Sequence, residues 1–285
     1  MRWFESLAVL TCGSLTLSGP LQAQSYVLGA GVGSDDNGGL SLVALADVAV
    51  TKRTWLTLSG GFADSETRTD DLRTRSLSLG LTQQFEKLRF SINAGRLGDS
   101  DNLESDDVQL AGYWDNQRWR LGVNLERRDI ELSFLTPSPV DGQPPVLRQA
   151  TATADGLGLS VRYRFENQLA LSLSVKDFDY DRNLNRLTSL DFIRRISPTT
   201  LTLAGALRDR QATVDLEWEV GEQLFGIELA RDRLAVGEFD LTSVSGRWTR
   251  PMSQRTDIEM SVGYSEPETG EGSVFASVTV YFFGG

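Results

Sequence analysis

The 285-residue chain contains no histidine and only one cysteine, Cys12. Histidine is the commonest general base and the commonest metal ligand, so its absence argues against most hydrolytic and metal-dependent chemistry. No segment after Ala23 reaches the roughly 18 consecutive apolar residues that a membrane-spanning helix needs. A formal charge of −11 disfavours a nucleic-acid partner, because phosphates are bound by lysine and arginine. We therefore expect no enzymatic activity, no cofactor and no metal site.

The first 23 residues have the layout of a secretory signal peptide. Arg2 supplies a basic start, residues 6–19 form an uncharged stretch, and Ala23 offers a small residue at the cleavage position. The stretch is too short and too polar to span about 30 Å of hydrocarbon. Cys12 lies within it, and no small residue precedes Cys12 as lipid attachment would require. We predict a signal peptide over 1–23 and a mature domain over 24–285 that has neither disulfides nor thiol chemistry.

Apolar and polar residues alternate in one segment of the mature chain after another. Leu77, Leu79 and Leu81 alternate with serine, glycine and threonine, and 88–95, 118–126 and 157–165 repeat the pattern. Successive side chains of a strand point to opposite faces, so each segment has one apolar and one polar face. Both a soluble sandwich and a membrane barrel give this alternation.

The connections between these segments favour the membrane barrel, because short and long ones alternate strictly. The short connections are 51–54, 86–87, 115–117, 166–168, 221–223 and 251–255, and the long ones are 34–39, 64–71, 98–106, 135–154, 181–211, 234–238 and 266–273. Short periplasmic turns and longer external loops are typical of outer-membrane barrels. Aromatic residues cluster beside the short turns, where they would form a girdle at one membrane interface.

Counting the segments predicts an all-β fold, a closed antiparallel transmembrane β-barrel of about fourteen strands. The strands are placed at 26–33, 40–50, 55–63, 72–85, 88–97, 107–114, 118–133, 155–165, 169–179, 211–220, 224–232, 239–249, 256–264 and 273–283. An even number returns both termini to the periplasmic side, as in bacterial single-chain barrels.

The long connection 181–211 leaves two alternatives open. Ser197-Pro198 suits the start of a short helix that would fold into the barrel mouth, lined by Leu201, Ala204, Gly205 and Leu207. Thr200 to Leu203 also alternate, and a strand pair there would raise the count to sixteen. We favour the helix.

The end of the chain carries a feature of one protein class. Apolar residues alternate from Val274 to Phe282, and the chain then closes on Tyr281-Phe282-Phe283 before two glycines. This resembles the C-terminal strand of Gram-negative outer-membrane barrels, which ends on an aromatic residue with a tyrosine two residues earlier. The resemblance implies insertion in the outer membrane and recognition of Tyr281 and Phe283 by the barrel-assembly machinery. Gly284 and Gly285 depart from the usual ending.

If the apolar face of each strand contacts lipid, every second residue faces the lumen. This alternation, which we call strand parity, assigns the inward charged residues. The basic wall, on the fifth to ninth strands, would be Arg89, Arg118, Arg120, Arg128, Arg162, Arg164 and Lys176. The acidic wall, on the tenth to thirteenth, would be Asp215, Glu217, Glu219, Glu228, Asp257 and Glu259. Asp47, Glu126 and Arg247 break these two sets.

The two charged walls resemble the transverse charge separation of general diffusion porins, which orients polar solutes in a constriction. The interior is then water-filled. The other interpretation is a closed interior filled by ion pairs, since buried charges need close partners.

Charged residues near the long loops suggest partners outside the cell. Arg73, Arg75, Arg96, Arg127 and Arg231 fall on the outward face, where guanidinium groups would bind lipopolysaccharide phosphates beside the membrane lipid. The alternative is that these strand ends stand clear of the membrane. The acidic residues of 98–107 offer oxygen ligands for Ca²⁺, although a solvated acidic loop is the favoured interpretation.

Two functions follow from this sequence. The first is a porin-like channel for small hydrophilic solutes or ions, in which the inward charges act as field and filter. The alternative is a structural or surface-interaction barrel with a closed lumen, whose proline-rich loop 135–154 forms a stiff external platform.

Overall fold

The computed structural model describes residues 2–5, 14–17, 26–36, 38–66, 71–99, 103–136, 146–184, 205–237, 239–268 and 272–284. Two short strands, β1 (Arg2–Glu5) and β2 (Ser14–Leu17), form a separate antiparallel pair. The other strands are β3 (Tyr26–Asp35), β4 (Leu40–Thr51), β5 (Thr54–Glu66), β6 (Asp71–Gln84), β7 (Leu88–Gly98), β8 (Leu103–Asp115), β9 (Trp119–Thr136), β10 (Val146–Arg164), β11 (Leu169–Tyr180), β12 (Arg208–Val220), β13 (Gln223–Leu234), β14 (Asp240–Ser253), β15 (Thr256–Pro267) and β16 (Ser273–Gly284). Among the described residues, no helix is long and apolar enough to cross a membrane.

Strands β3 to β16 close into one antiparallel barrel of fourteen strands. Each strand pairs with the next along the chain, and β16 pairs back onto β3 from Phe275↔Asp35 to Gly284↔Tyr26. The predicted fourteen-strand closed barrel is confirmed. Closure matters because an open sheet edge would leave backbone groups unpaired in a medium without water.

The sixteen-strand alternative is wrong, because β11 pairs directly with β12 from Leu169↔Trp218 to Asp177↔Arg210. Of the predicted helix, Gly205 and Ala206 have helical backbone and Leu207 lies in a turn. Ser197, Pro198, Leu201 and Ala204 lie outside the described residues.

Several connections are shorter than predicted, most clearly those after β9 and β7. The β9–β10 hairpin stays paired as far as Thr136↔Val146, so 135–154 is not the 20-residue loop that the sequence suggested. Strand β8 begins at Leu103 rather than at 107, with Glu104 paired to Gly98. Backbone groups of a strand need partners wherever water does not supply them, and pairing therefore continues past the end of the apolar alternation.

The two faces of the sheet follow the predicted parity. The alternating leucines of β6 are exposed on the outside, with Leu77 60% and Leu79 53% accessible. Aromatic rings meet beside the short turns, as in the Trp119–Tyr163 pair at 4.5 Å and the stacked Trp218–Phe225 pair at 5.7 Å between centroids. The barrel thus has an apolar outer band with aromatic residues at its short-turn end.

The seam between β16 and β3 is reinforced at the long-loop end. Ser273 donates a hydrogen bond from its hydroxyl to Asp36 Oδ1 at 2.7 Å, and the Val274 amide donates to the same oxygen at 3.2 Å. The hydrogen bond from Ser273 holds the pKa of the Asp36 carboxyl below its usual value.

Candidate functional site

The barrel interior has two unlike sides. On β5 to β8 the inward residues are small and polar, and several stay partly exposed to the lumen: Thr57, Ser76, Ser78, Asn93 and Gln109. On β9 to β13 the inward face carries many charged residues, several of them buried, among them Arg120, Arg128 and Arg162. Strand parity places both groups of residues inside the barrel. Open space remains in the lumen where their side chains are small.

Glu126 is the centre of a first charge network, on β9 and β11. It accepts hydrogen bonds from Arg128 Nε and from Lys176 Nζ. The guanidinium of Arg128 lies over the ring of Phe178, 4.0 Å from its centroid. A cation over an aromatic face gains further electrostatic attraction where water is excluded. The charges on this side therefore have close partners.

The segment before β12 is tied to this network. Arg128 Nη1 donates to the Gly205 carbonyl at 2.7 Å and to the Ala206 carbonyl at 3.2 Å. The Tyr180 hydroxyl donates to the Arg208 carbonyl at 2.6 Å. The carbonyls of this short turn thereby find donors on the barrel wall, which fixes the turn inside the mouth.

Arg247 is the centre of a second network, on β12 and β14. Its Nη2 donates to Asp215 Oδ1 at 3.2 Å and also to Glu217. Glu217, which is 1% exposed, accepts a further hydrogen bond from Arg162 on β10. Ion pairs along the barrel wall therefore connect the basic and acidic walls. Any electric field that the walls exert across the lumen acts in addition to these contacts.

The predicted basic wall is only partly assembled. Arg120 pairs with Asp115 at 2.7 Å, and Arg128, Arg162 and Lys176 belong to the two networks. Arg89 and Arg164 lie on the inward face and are half-buried. Arg118 does not line the lumen: it lies in the turn before β9, is 57% exposed, and pairs with Glu166 at 2.5 Å. Strand parity stops applying where the strand ends.

All six residues of the predicted acidic wall lie on the inward face. Asp215, Glu217, Glu228 and Asp257 are buried, and Glu219 and Glu259 are half-buried. Glu126 and Arg247, which interrupted the two predicted sets, supply the opposite charge at the two network centres. In the sequence, each of these two centres is marked by an inward residue whose charge is opposite to that of the inward residues around it.

Apolar clusters lie in the lumen toward both ends of the barrel. The cluster at the long-loop end, which we call the mouth cluster, includes Leu132 and Leu207, both 0% exposed, and also contains Leu103, Ile130, Ala152, Leu184, Ala206, Leu234 and Val236. The cluster at the other end, the base cluster, consists of Val27, Leu224, Tyr281 and Phe283 with Leu45 against it. The side chains of Tyr281 and Phe283 are therefore inside the barrel.

A cavity of about 120 Å³ lies between the second network and strands β3 and β4. Asp215, Glu228, Arg247 and Glu259 line it together with serine hydroxyls. Its volume corresponds to about four water molecules at about 30 Å³ each. At the short-turn end a wider recess of about 690 Å³ is lined by the turns around residues 84–89 and 115–119.

The outward arginines at the long-loop end are exposed and lie beside carboxylates. Arg96 pairs with Glu104 at 2.5 Å, Arg73 with Asp64 at 3.4 Å, and Arg127 with Asp155 at 3.7 Å, while Arg231 contacts Asp240. Arg75 is exposed as well. Within the described ranges, no three His, Cys, Asp or Glu side chains converge as a metal site, and residues 100–102 of the acidic segment lie outside those ranges.

Comparison with solved structures identifies barrels of outer-membrane type. The chain is similar to the CymD monoaromatic hydrocarbon channel, with a TM-score of 0.56 and 12% identity over 91% of this chain and 88% of that one. It also matches OmpT of Vibrio cholerae (TM-score 0.49, 10% identity, 92% and 99% covered) and the KdgM porin (0.44, 7%, 90% and 98%). No protein-family model and no curated protein sequence matches the chain. The likeness to CymD and the closed ring of fourteen strands show that the chain has the porin-like fold of outer-membrane β-barrel channels.

Proposed function

We propose that the protein is a narrow outer-membrane channel for small hydrophilic solutes or ions. One observation carries this proposal: a wall of partly exposed hydroxyl and amide side chains on β5 to β8 lies on a different part of the barrel from the buried charge networks of β9 to β14. Polar groups that remain accessible inside a barrel require water, and a path lined by water suits hydrophilic solutes. The networks narrow the bore and set the charge that a passing solute meets.

A closed structural barrel is the second candidate. The mouth cluster, the base cluster and the ion pairs of Arg162 and Arg247 favour it, because all three fill the lumen with side chains that have partners. In that case the external loops would be the working part of the protein.

Single-channel conductance of the refolded protein in planar bilayers tests the proposal. We expect discrete conductance steps in KCl, and we expect the ion selectivity to change when Arg120 and Arg162 are both replaced by glutamate. The change should shrink at high salt, because the Debye length falls from about 10 Å at 0.1 M to about 3 Å at 1 M. Arg118→Glu, in an exposed turn, is the matched control.

The closed barrel gives a different result. It would conduct nothing, with or without the double replacement, whatever the replacement does to stability. Absence of conductance in the unmodified protein therefore rejects the channel.

Export and assembly complete the proposal. We propose that residues 1–23 direct secretion and are removed, and that the last strand with Tyr281 and Phe283 is recognised by the barrel-assembly machinery. Lipid covers the apolar outer band. The exposed Arg73, Arg96, Arg127 and Arg231 are placed to exchange their carboxylate partners for lipopolysaccharide phosphates, which guanidinium groups bind bidentately.

A further inference from the structure

Glu228 has a buried oxygen without a hydrogen-bond partner. The residue is 3% exposed, lines the 120 Å³ cavity, and its Oε2 accepts no hydrogen bond from any described group. An ionised carboxylate in such a place is costly unless a positive charge or a donor compensates it. Glu228 borders the cavity, so a compensating group has room to lie beside the residue.

The guanidinium that lines this cavity, that of Arg247, uses its Nη2 for other carboxylates, while its Nε is buried without a hydrogen-bond partner among the described residues. Arg247 contacts Asp215 and Glu217, and Arg162 contacts Glu217. Glu259 accepts a hydrogen bond from the Thr249 hydroxyl at 3.3 Å and another from Tyr281, neither of which carries a positive charge. Among the described charged groups that line the cavity, the carboxylates of Asp215, Glu228 and Glu259 outnumber the single guanidinium of Arg247.

The strand register adds to the negative potential. Asp215 on β12 and Glu228 on β13 are directly opposite each other in the pairing. Like charges at opposed positions on neighbouring strands destabilise the pair unless a cation lies between or beside them. Arg247 lies beside Asp215 and compensates that carboxylate, so Glu228 is the member of the pair that a bound cation would stabilise.

We infer that this cavity binds a small monovalent cation, an alkali ion or a protonated amine, and makes the channel cation-selective. The inference rests on the proposed channel function and names the class of solute that it favours. Glu228 and Glu259 supply the charge, and the hydroxyls of Ser245 and Ser261 supply further oxygen ligands. Among the described residues no three carboxylates converge as a cage for a resident metal, which suits a partly hydrated ion in transit.

Thermal unfolding of the refolded protein tests binding without reference to conductance. A ligand that binds only the folded state raises the unfolding temperature. At equal ionic strength, we expect the midpoint in KCl or methylammonium chloride to exceed that in N-methylglucamine chloride, whose sugar-alcohol cation is too large for the cavity, by about 3 °C. Glu228→Gln and Glu259→Gln should each reduce the difference, whereas Glu266→Gln, on the outer face, should keep it.

Reversal potentials in a KCl gradient test selectivity. We expect potassium to permeate several-fold better than chloride in the unmodified protein and in Glu266→Gln, and nearly equal permeability in Glu228→Gln. The methylammonium and potassium arms distinguish an amine from an alkali ion. Equal midpoints in all three salts, or chloride selectivity, overturn the inference. A potassium-dependent midpoint without conductance would instead reject the channel and keep the cation site.

Discussion

Arg162 shows how a single buried ion pair acts within the barrel wall. Its side chain is 10% exposed and its partner Glu217 only 2%, so both charges have lost most of their hydration. Removing one member of such a pair leaves an uncompensated buried charge, which costs about 3–5 kcal/mol. Arg247 also contacts Glu217, so it would still compensate part of the charge of that carboxylate if Arg162 were removed. The exposed pair of Arg118 and Glu166 lies at the other extreme, since water screens it.

We therefore expect Arg162→Gln to destabilise the folded barrel by about 3 kcal/mol. Arg118→Gln removes the same charge from an exposed turn and should leave stability unchanged. The measurement is the urea dependence of folding in detergent or lipid, monitored by tryptophan fluorescence. Equal effects of the two substitutions would show that Arg162 is hydrated and that the second network is not a buried one.

At the scale of elements, β16 and the β9–β10 hairpin have opposite consequences for closure. Strand β16 pairs on one side with β15 and on the other with β3, so the ring depends on it. The β9–β10 hairpin is already paired at Thr136↔Val146. The register of these two strands therefore does not depend on residues 137–145, which connect them. The first element closes the ring, and the second connection only links neighbours.

Deleting residues 274–285 should therefore abolish the folded barrel. Two edges would be left without partners in hydrocarbon, at a cost of several kcal/mol for each unsatisfied group. Replacing 137–145 with Asn-Gly, a two-residue hairpin turn, should preserve the barrel. Heat-modifiable mobility on gels reports the folded form in both proteins. Persistence of that mobility after the β16 deletion would contradict closure through β16.

At the scale of the whole molecule, the barrel has two unlike ends. Tight turns such as 86–87 and 166–168 join the strands at one end, and the longer connections lie at the other. If the tight turns face the periplasm, the end of the β9–β10 hairpin at Thr136 and Val146 lies on the outer side of the membrane. Both the orientation and the proposed contact with lipopolysaccharide depend on this polarity.

Proteinase K added to intact cells should cleave within 137–145 and spare Glu86-Lys87 and Glu166-Asn167. The strands on either side of the cleavage site are paired, so the cut should be confined to the tip rather than spread over 135–154. Osmotically opened cells, in which the periplasmic turns become accessible, provide the comparison. Cleavage at Glu86-Lys87 in intact cells would reverse the orientation.

Much of the architecture could be predicted because it depends on local alternation. The period-two pattern and the short turns located all fourteen barrel strands and placed about three quarters of the strand ends within two residues, since a lipid-facing band must be apolar at every second position. The predictions were less accurate at β8 and β10, where pairing continues beyond the apolar band. They also misplaced Arg118, which follows the inward parity in sequence but lies outside the strand.

Strand order, the two faces of each strand and the sign of most inward charges could be read from the sequence, because each depends on neighbouring residues. Which charges meet could not, because it depends on the register between strands. Arg162 and Glu217 are far apart in the chain, and the register of β10 and β12 on either side of β11 brings them together. The tertiary structure likewise decided that Leu207 and Leu132 share one apolar cluster and that Glu228 borders a cavity. Such contacts depend on register and side-chain length around a closed ring, and alternation along one strand contains neither.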